Sequence, residues 1–237
     1  MGRVFEKRKH KMFARFDKMA KAFTRIGKEI AIAVKMSGPD PNSNPRLRMA
    51  LQNGKAVNMP KDRLDAAIKR AVAKDESNYE EVVYEGYAPH GVAILVETAT
   101  DNPTRTVANV RMHFNRENGA LGKTGSLDFI FDRKGIFKIE KGNFKMEELE
   151  LDLIDFGAEE VAEDEDAFYI YTSFTDFGGM QKALEEKGIP ILNAELQRIP
   201  KTTVELNDEQ QKEVMALVER MEEDDDVQAV YHNMKED

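Results

Sequence analysis

At 237 residues, with 41% apolar and 33% charged positions and no cysteine, the chain reads as a folded soluble protein with length for two or three cores. That composition excludes disulfides, thiolate metal sites and cysteine nucleophiles. A formal net charge of −9 hides a division: through Lys74 there are 19 Lys/Arg against 6 Asp/Glu, and after it 16 against 38, so a +13 front precedes a −22 remainder.

Such asymmetry points to a polyanion-facing end and an acidic remainder that restricts how the polyanion docks. The front opens with "RKHKMFARFDKMAKAFTRIGKEIAIAVKM", residues 8–36. Met12, Phe16, Met19, Phe23, Ile26, Ile30 and Ala33 recur at steps of four and three, which predicts one amphipathic helix. Arg8, Lys11, Arg15, Lys18 and Arg25 follow the same period on an adjacent stripe, and Lys21, Lys28 and Lys35 lie on another. The plain alternative is a helix packed by its Met/Phe side with its lysines solvated. No stretch approaches the roughly 18 apolar residues of a membrane span, and the N-terminus lacks the apolar core of a secretory signal. Glu6, Asp17 and Glu29 argue against a transit peptide, so the expected location is cytoplasmic, with no membrane partner.

"SGPDPNSNPRLRMA" then breaks the pattern and offers Asn44 as N-cap and Pro45 at the first helical position, predicting a helix from Pro45 to about Lys55. Pro60 opens a third helix with Leu64, Ala67, Ile68 and Val72 inward. From Tyr79 the period changes to strands: "EVVYEGYAPHGVAILVETAT" predicts a hairpin turning at Ala88 to Gly91. A helix begun by Asn102 and Pro103 follows, with Val107, Val110 and Phe114 inward, and then a strand at "SLDFIFD". After a turn at "DRKG" the predicted order is strand "IFKIE", helix 146–156, strand 159–161, strand "AFYIYT", helix 177–187 and strand "AELQRIP", a ferredoxin-like βαββαβ plan. A helix over 208–222 and a strand "VQAVY" complete the chain. The expected fold class is α+β: an N-terminal three-helix domain (1–78), a discontinuous α/β lobe (79–132 and 203–237), and a βαββαβ lobe inserted in it (133–202). The acidic runs "EDED" and "EEDDD" read as solvated turns.

Few motifs carry chemistry. "NGALGKTGS" holds a Gly-Lys-Thr, but the phosphate-loop pattern needs a glycine where Glu117 stands, and the loop follows a helix and precedes a strand. It reads better as a C-cap at Gly119 and a turn. His10, His90, His113 and His232 occur singly without a second ligand at metal spacing, so no metal and no cofactor are expected. Nothing anchors catalysis, and the chain is not expected to be an enzyme. "YEGYAPHGVA" predicts a shaped hairpin tip whose plain reading is a packed turn; as a contact loop, Tyr87 would stack and His90 would approach phosphate.

"NPRLRMAL", "NMPKDRLDAAIKRA", "NYEEVVYEGYAPHGVAILVETATDN", "RTVANVRMHFNRENGALGKTGSLDFIFDRKG" and "IPKTTVEL" together resemble the YebC/PmpR family, whose relatives include a mitochondrial translational activator. The resemblance covers nearly the whole chain. It implies three domains, DNA binding and transcriptional regulation in the cytoplasm, and for some members a tie to ribosomes and to the translation of proline-rich stretches. Two departures stand out: "GRVFEKRKHKM" replaces the family's usual Gly-His-Ser-Lys-Trp opening, and Ala88 and His90 replace glycines of the hairpin tip.

The leading expectation is a nucleic-acid-binding regulator of gene expression, with promoter DNA or ribosomal RNA as partner and a monomeric state favoured. The contacts that the resemblance implies are Lys9, Lys11, Lys18, Lys21, Arg25, Lys28, Arg46, Arg48, Lys61, Lys69 and Arg70; Arg15 of the cationic stripe joins them, with Tyr87 and His90 as a further contact loop. A ribosome-associated translation factor is the first alternative. A protein-interaction scaffold is the second; apolar burial would make its association insensitive to salt.

Overall fold

The computed structural model describes residues 22–73 and 78–235. The chain divides into two compact units, one of Met1–Lys28, Asp75–Asp132 and Ile199–Asp237, the other of Glu29–Lys74 and Arg133–Arg198.

In the first unit, β1 (Glu80–Tyr87) and β2 (Ala93–Thr100) form an antiparallel hairpin paired from Glu80↔Thr100 to Tyr87↔Ala93. Helix α4 (Pro103–Arg116) follows, with Asn102 accepting from the Arg105 N–H and Pro103 in the first turn. The short β3 (Ala120–Leu121) joins the outer edge of β1; near the C-terminus α7 (Asp208–Glu222) leads to β8 (Val227–His232) on the other side of β2. The order is β3-β1-β2-β8, which leaves β2 central and buried on both faces. Ile94 and Val96 pack with Val110 and Phe114 of α4 and with Val214, Leu217, Val218 and Met221 of α7; Ala93 and Leu95 pack with Leu127, Ile130 and Phe131. Gly86 allows this layering. A Cβ there would lie 2.5 Å from the Ala120 carbonyl oxygen and 2.7 Å from the Phe114 ring, so only a bare backbone lets β3 and Phe114 close on β1 together.

The second unit takes the remainder of α1 (Ala22–Ser37), then α2 (Pro45–Ala56) and α3 (Lys61–Val72). Asn44, 1% exposed, sets the α1 to α2 turn: its side chain accepts from Leu47 N–H and donates to the carbonyls of Ala33 and Gly38. Asn53 of α2 exchanges two hydrogen bonds with the Ala194 backbone, at 2.6 and 3.0 Å, and Met49 enters this unit's core.

That core belongs to β4 (Phe131–Glu140), α5 (Met146–Ile154), β5 (Ala158–Glu163), β6 (Ala167–Ser173), α6 (Phe177–Glu186) and β7 (Ile191–Pro200). The sheet order is β5-β6-β4-β7, the ferredoxin-like arrangement expected from the pattern. Phe137, Ile139, Phe168 and Ile170 meet Leu149 and Leu153 of α5 and Met180 and Leu184 of α6.

The main local departure from expectation lies at "SLDFIFDRKG". Residues 126–130 are bends and turns, and Asp132 to Gly135 belong to one continuous strand, β4. The polar run with glycine reads as a turn, but Gly135 pairs with Thr172 inside the sheet, where a Cβ would lie 2.4 Å from the Phe177 ring and 2.5 Å from Thr172 Oγ1. Here glycine marks a close approach. The α4 terminus also differs: the positive-φ residue is Asn118, at 55°, and Gly119 donates back to the Phe114 carbonyl.

Candidate nucleic-acid interface

Lys9, Lys11, Arg15, Lys18 and Lys21 lie outside the described residues. Of the other expected contacts, Lys61, Lys69 and Arg70 stand exposed on α3. Arg46 and Arg48 are half-buried and engaged within their unit. Arg46 grips Glu29 with two bonds of 2.7 and 3.1 Å, and Arg48 binds Glu185 and the carbonyls of Pro41 and Asn42.

Lys28 is placed inside the first unit. It is 7% exposed, and its ammonium donates to the carbonyls of Ala99 and Asp225 and to Asp226 Oδ1 at 3.0 Å. Asp226 Oδ2 in turn accepts from Thr106 and from Arg105, each at 2.8 Å. Burial pushes this carboxyl up, yet the bonds from Arg105, Lys28 and Thr106 together outweigh it and hold the group below the usual carboxylate range. Arg25, nearby on α1, donates to the Glu222 carbonyl at 3.3 Å; burial lowers its guanidinium from the ordinary value, and the charges of Glu222 and Tyr231 oppose that. The run "EEDDD" is therefore more than a solvated turn, since Asp226 is 5% exposed and Asp224 pairs with His113 and Asn109. No local pattern announces this, because Lys28 and Asp226 are 198 positions apart.

At the hairpin tip Tyr87 is 40% exposed, and His90 lies beside Glu213 at 2.7 Å and Gln210 at 3.4 Å. His90 has φ 65°, left-handed backbone that favours glycine, which fits the resemblance's expectation of glycine there. Ala88 has φ −76° and needs none.

The Gly-Lys-Thr loop holds an internal anion. Glu85, 3% exposed, accepts from the N–H of Gly125 and Leu127 at 2.7 and 2.6 Å and from Ser126 Oγ at 3.4 Å. The amides that would cradle phosphate are occupied by this carboxylate, while Lys123 and Thr124 face solvent. Replacing Glu85 with alanine leaves these donors without their acceptor, and roughly 1–3 kcal/mol is expected for the buried Leu127 N–H, less for the partly exposed Gly125 and Ser126 donors. Chemical unfolding with a glutamine variant alongside checks this, glutamine falling between alanine and wild type.

Among the described residues no group of three or more His, Asp or Glu is placed to hold a metal. Glu195 on β7 is pushed by burial up to about 8, against the lowering by Gln197 and Asn193, although part of the residue surface remains accessible. Its side-chain hydrogen-bond partners are the amides of Gln197 and Asn193, and burial raises the hydroxyl of Tyr171, which lies close enough for the Glu195 charge to add to the rise. No helix in the described residues is long and apolar enough to cross a membrane.

Comparison with known proteins fits this architecture. Residues 3–74 match the TACO1/YebC protein N-terminal domain, and residues 79–234 match the TACO1/YebC second and third domain. A "Probable transcriptional regulatory protein" of Cytophaga hutchinsonii is 62% identical, covering 100% of this chain and 99% of its own. One of the same description from Flavobacterium johnsoniae is 56% identical over the full length of both. The crystal structure of a conserved hypothetical protein, Aq1575 from Aquifex aeolicus, superposes with a TM-score of 0.77 at 38% identity, covering 90% of this chain and 89% of that one. With both family models matched and close relatives aligned from end to end, the chain belongs to the TACO1/YebC family.

Proposed function

We propose that this protein is a nucleic-acid-binding regulator of gene expression that works as a cytoplasmic, cofactor-free monomer. The division of charge carries the reading: +13 through Lys74 and −22 beyond it, in a chain whose net charge is −9. Lys9, Lys11, Arg15, Lys18 and Lys21, with the exposed Lys61, Lys69 and Arg70 of α3, supply the phosphate contacts. Arg46 and Arg48 brace the helices of their unit through internal bonds, and Lys28 and Arg25 hold the front of α1. The names of the relatives support a transcriptional role. Exposure of Tyr87 beside the strained His90 favours a second reading, a ribosome-associated translation factor that places this tip against RNA.

One experiment separates them. Wild type and a variant with Lys9, Lys11, Arg15 and Lys18 changed to glutamate are sedimented with ribosomes from lysate, and in parallel filtered with labelled duplex DNA, at low and moderate salt. Retention of duplex DNA by the wild type alone supports the transcriptional reading; loss of ribosome association in the variant alone supports the translational one. Wild type that binds neither overturns both.

A further inference from the structure

In the middle of the chain the cations gather on and just after α4. Every Lys/Arg between residues 78 and 132, namely Arg105, Arg111, Arg116 and Lys123, lies on α4 or in the loop after β3. The same span holds eight acidic residues, none of them on α4. One face of the helix is fixed: Thr106, Val110 and Phe114 are buried, Thr106 and Arg105 bind Asp226, and Asn109 and His113 bind Asp224. The opposite face presents Ala108, Arg111, Met112 and Asn115, all exposed, at three- and four-residue spacing, while the exposed Arg116, seven positions after Asn109, lies toward the Asp224 flank. Among the described residues neither Arg111 nor Arg116 has a carboxylate partner, while the neighbouring acids are engaged, Glu117 with Arg220 and Asp101 with Arg105.

We propose that α4 is a sequence-reading helix for the major groove of duplex DNA. Arginine matches the O6/N7 edge of guanine, asparagine matches the N6/N7 edge of adenine, and apolar side chains such as Ala108 and Met112 suit the thymine methyl. B-form duplex admits a helix in its major groove, whereas the deep, narrow major groove of A-form RNA does not, so the occupant is DNA. The acidic α7, with Asp208, Glu209, Glu213 and Glu219, sets the direction of approach. Asn109 and His113 point to the Asp224 side, and Arg111, two positions before His113, projects about 160° away from it around the helix. The duplex is repelled on the Asp224 flank of α4 and admitted on the other, where Arg111 is free to meet a base edge. The fixed inner face matters as much as the outer one, because base readout needs a helix held in one orientation.

The inference rests on the nucleic-acid reading above and adds to it: the N-terminal cations supply affinity without sequence preference, and α4 supplies the preference. The test is selection from a randomised duplex DNA library with the full-length chain, as wild type, as R111A/N115A, and as R111K. Each bidentate base contact is worth roughly 5- to 150-fold in discrimination. The wild type is expected to enrich a short motif. The double variant is expected to retain the unselected library within about threefold of wild type while losing the motif positions that Arg111 and Asn115 read. R111K, which keeps the charge and loses the fork, is expected to retain affinity and lose one position of the motif. A double variant that enriches the wild-type motif unchanged, or a wild type that retains duplex DNA without enriching any motif, overturns the assignment to α4 and leaves the general reading intact. Wild type that binds ribosomes and no duplex DNA overturns both the assignment and the transcriptional reading.

Discussion

Replacing Asp226 with alanine is expected to cost about 3–5 kcal/mol of stability, because it leaves the buried ammonium of Lys28 without its charge partner. The side chains of the pair are 9% and 7% exposed, so water cannot readily take over the lost bond. Thr106 and Arg105 lose an acceptor in the same change, and Thr106 retains only Thr100 and the Asn102 carbonyl. Asparagine at this position keeps the shape and an acceptor, so D226N should fall between alanine and wild type. A cycle of Lys28→Met, Asp226→Leu and the double variant isolates the pair, and the double variant should be more stable than the sum of the single losses predicts, since removing both charges leaves none buried. Acid titration gives an independent check. Asp226 is held below its ordinary value in the folded chain, so its contribution is fully present above the unfolded value of about 3.9 and is lost as pH falls through the folded one. Wild type should therefore lose more stability than D226N between about pH 5 and pH 2. Equal acid sensitivity of the two, or a D226A loss within the roughly 0.5 kcal/mol of a surface change, would show that the network contributes little.

This network also marks where sequence reading stops. Element order, helix caps and the βαββαβ plan are legible because each rests on neighbours in the chain, as Asn44 with Pro45 and Asn102 with Pro103; the capping box of Asn207 and Gln210 that starts α7 at the expected residue is equally local but is recognised only in the structure. The internal role of Lys28 is illegible for the opposite reason. Its position continues a cationic stripe, and only a carboxylate 198 positions away, in a run that looks like a solvated turn, changes its meaning. Glu85 and the Gly-Lys-Thr loop repeat the lesson, since spacing argues against a phosphate site but not for an internal carboxylate filling it. Gly135 shows the same limit on the scale of one strand. A glycine after polar residues favours a turn locally, and a ring and a threonine brought by other elements decide for the sheet. The α4 surface lies between these cases: Arg111, Asn115 and Arg116 are plain in the sequence, but their common exposure on a helix anchored by Asp224 and Asp226 is not.

Salt dependence is where the proposed division of labour makes its largest numerical claim. A protein that neutralises about six phosphates should lose around a thousandfold in affinity for duplex DNA between about 50 and 200 mM salt, each contact adding roughly 0.9 to the logarithmic slope. Changing Lys9, Lys11, Arg15 and Lys18 to glutamate removes four of the proposed contacts, so the slope should flatten by about 3.6, and the loss over the same range should fall to about tenfold. The α4 double variant removes only one positive charge, that of Arg111, and should leave the slope within about one unit of wild type. The two sets of variants thus move different observables, slope for the front of the chain and motif for α4. An unchanged slope in the four-residue variant would reassign the phosphate contacts to Lys61, Lys69 and Arg70 on α3, which can be reversed in turn. A flat slope in wild type would favour apolar association and the scaffold reading, because apolar burial is indifferent to counterions in this range. A steep slope that collapses in the variant would locate the dominant polyanion contacts at the front of a chain whose net charge is −9.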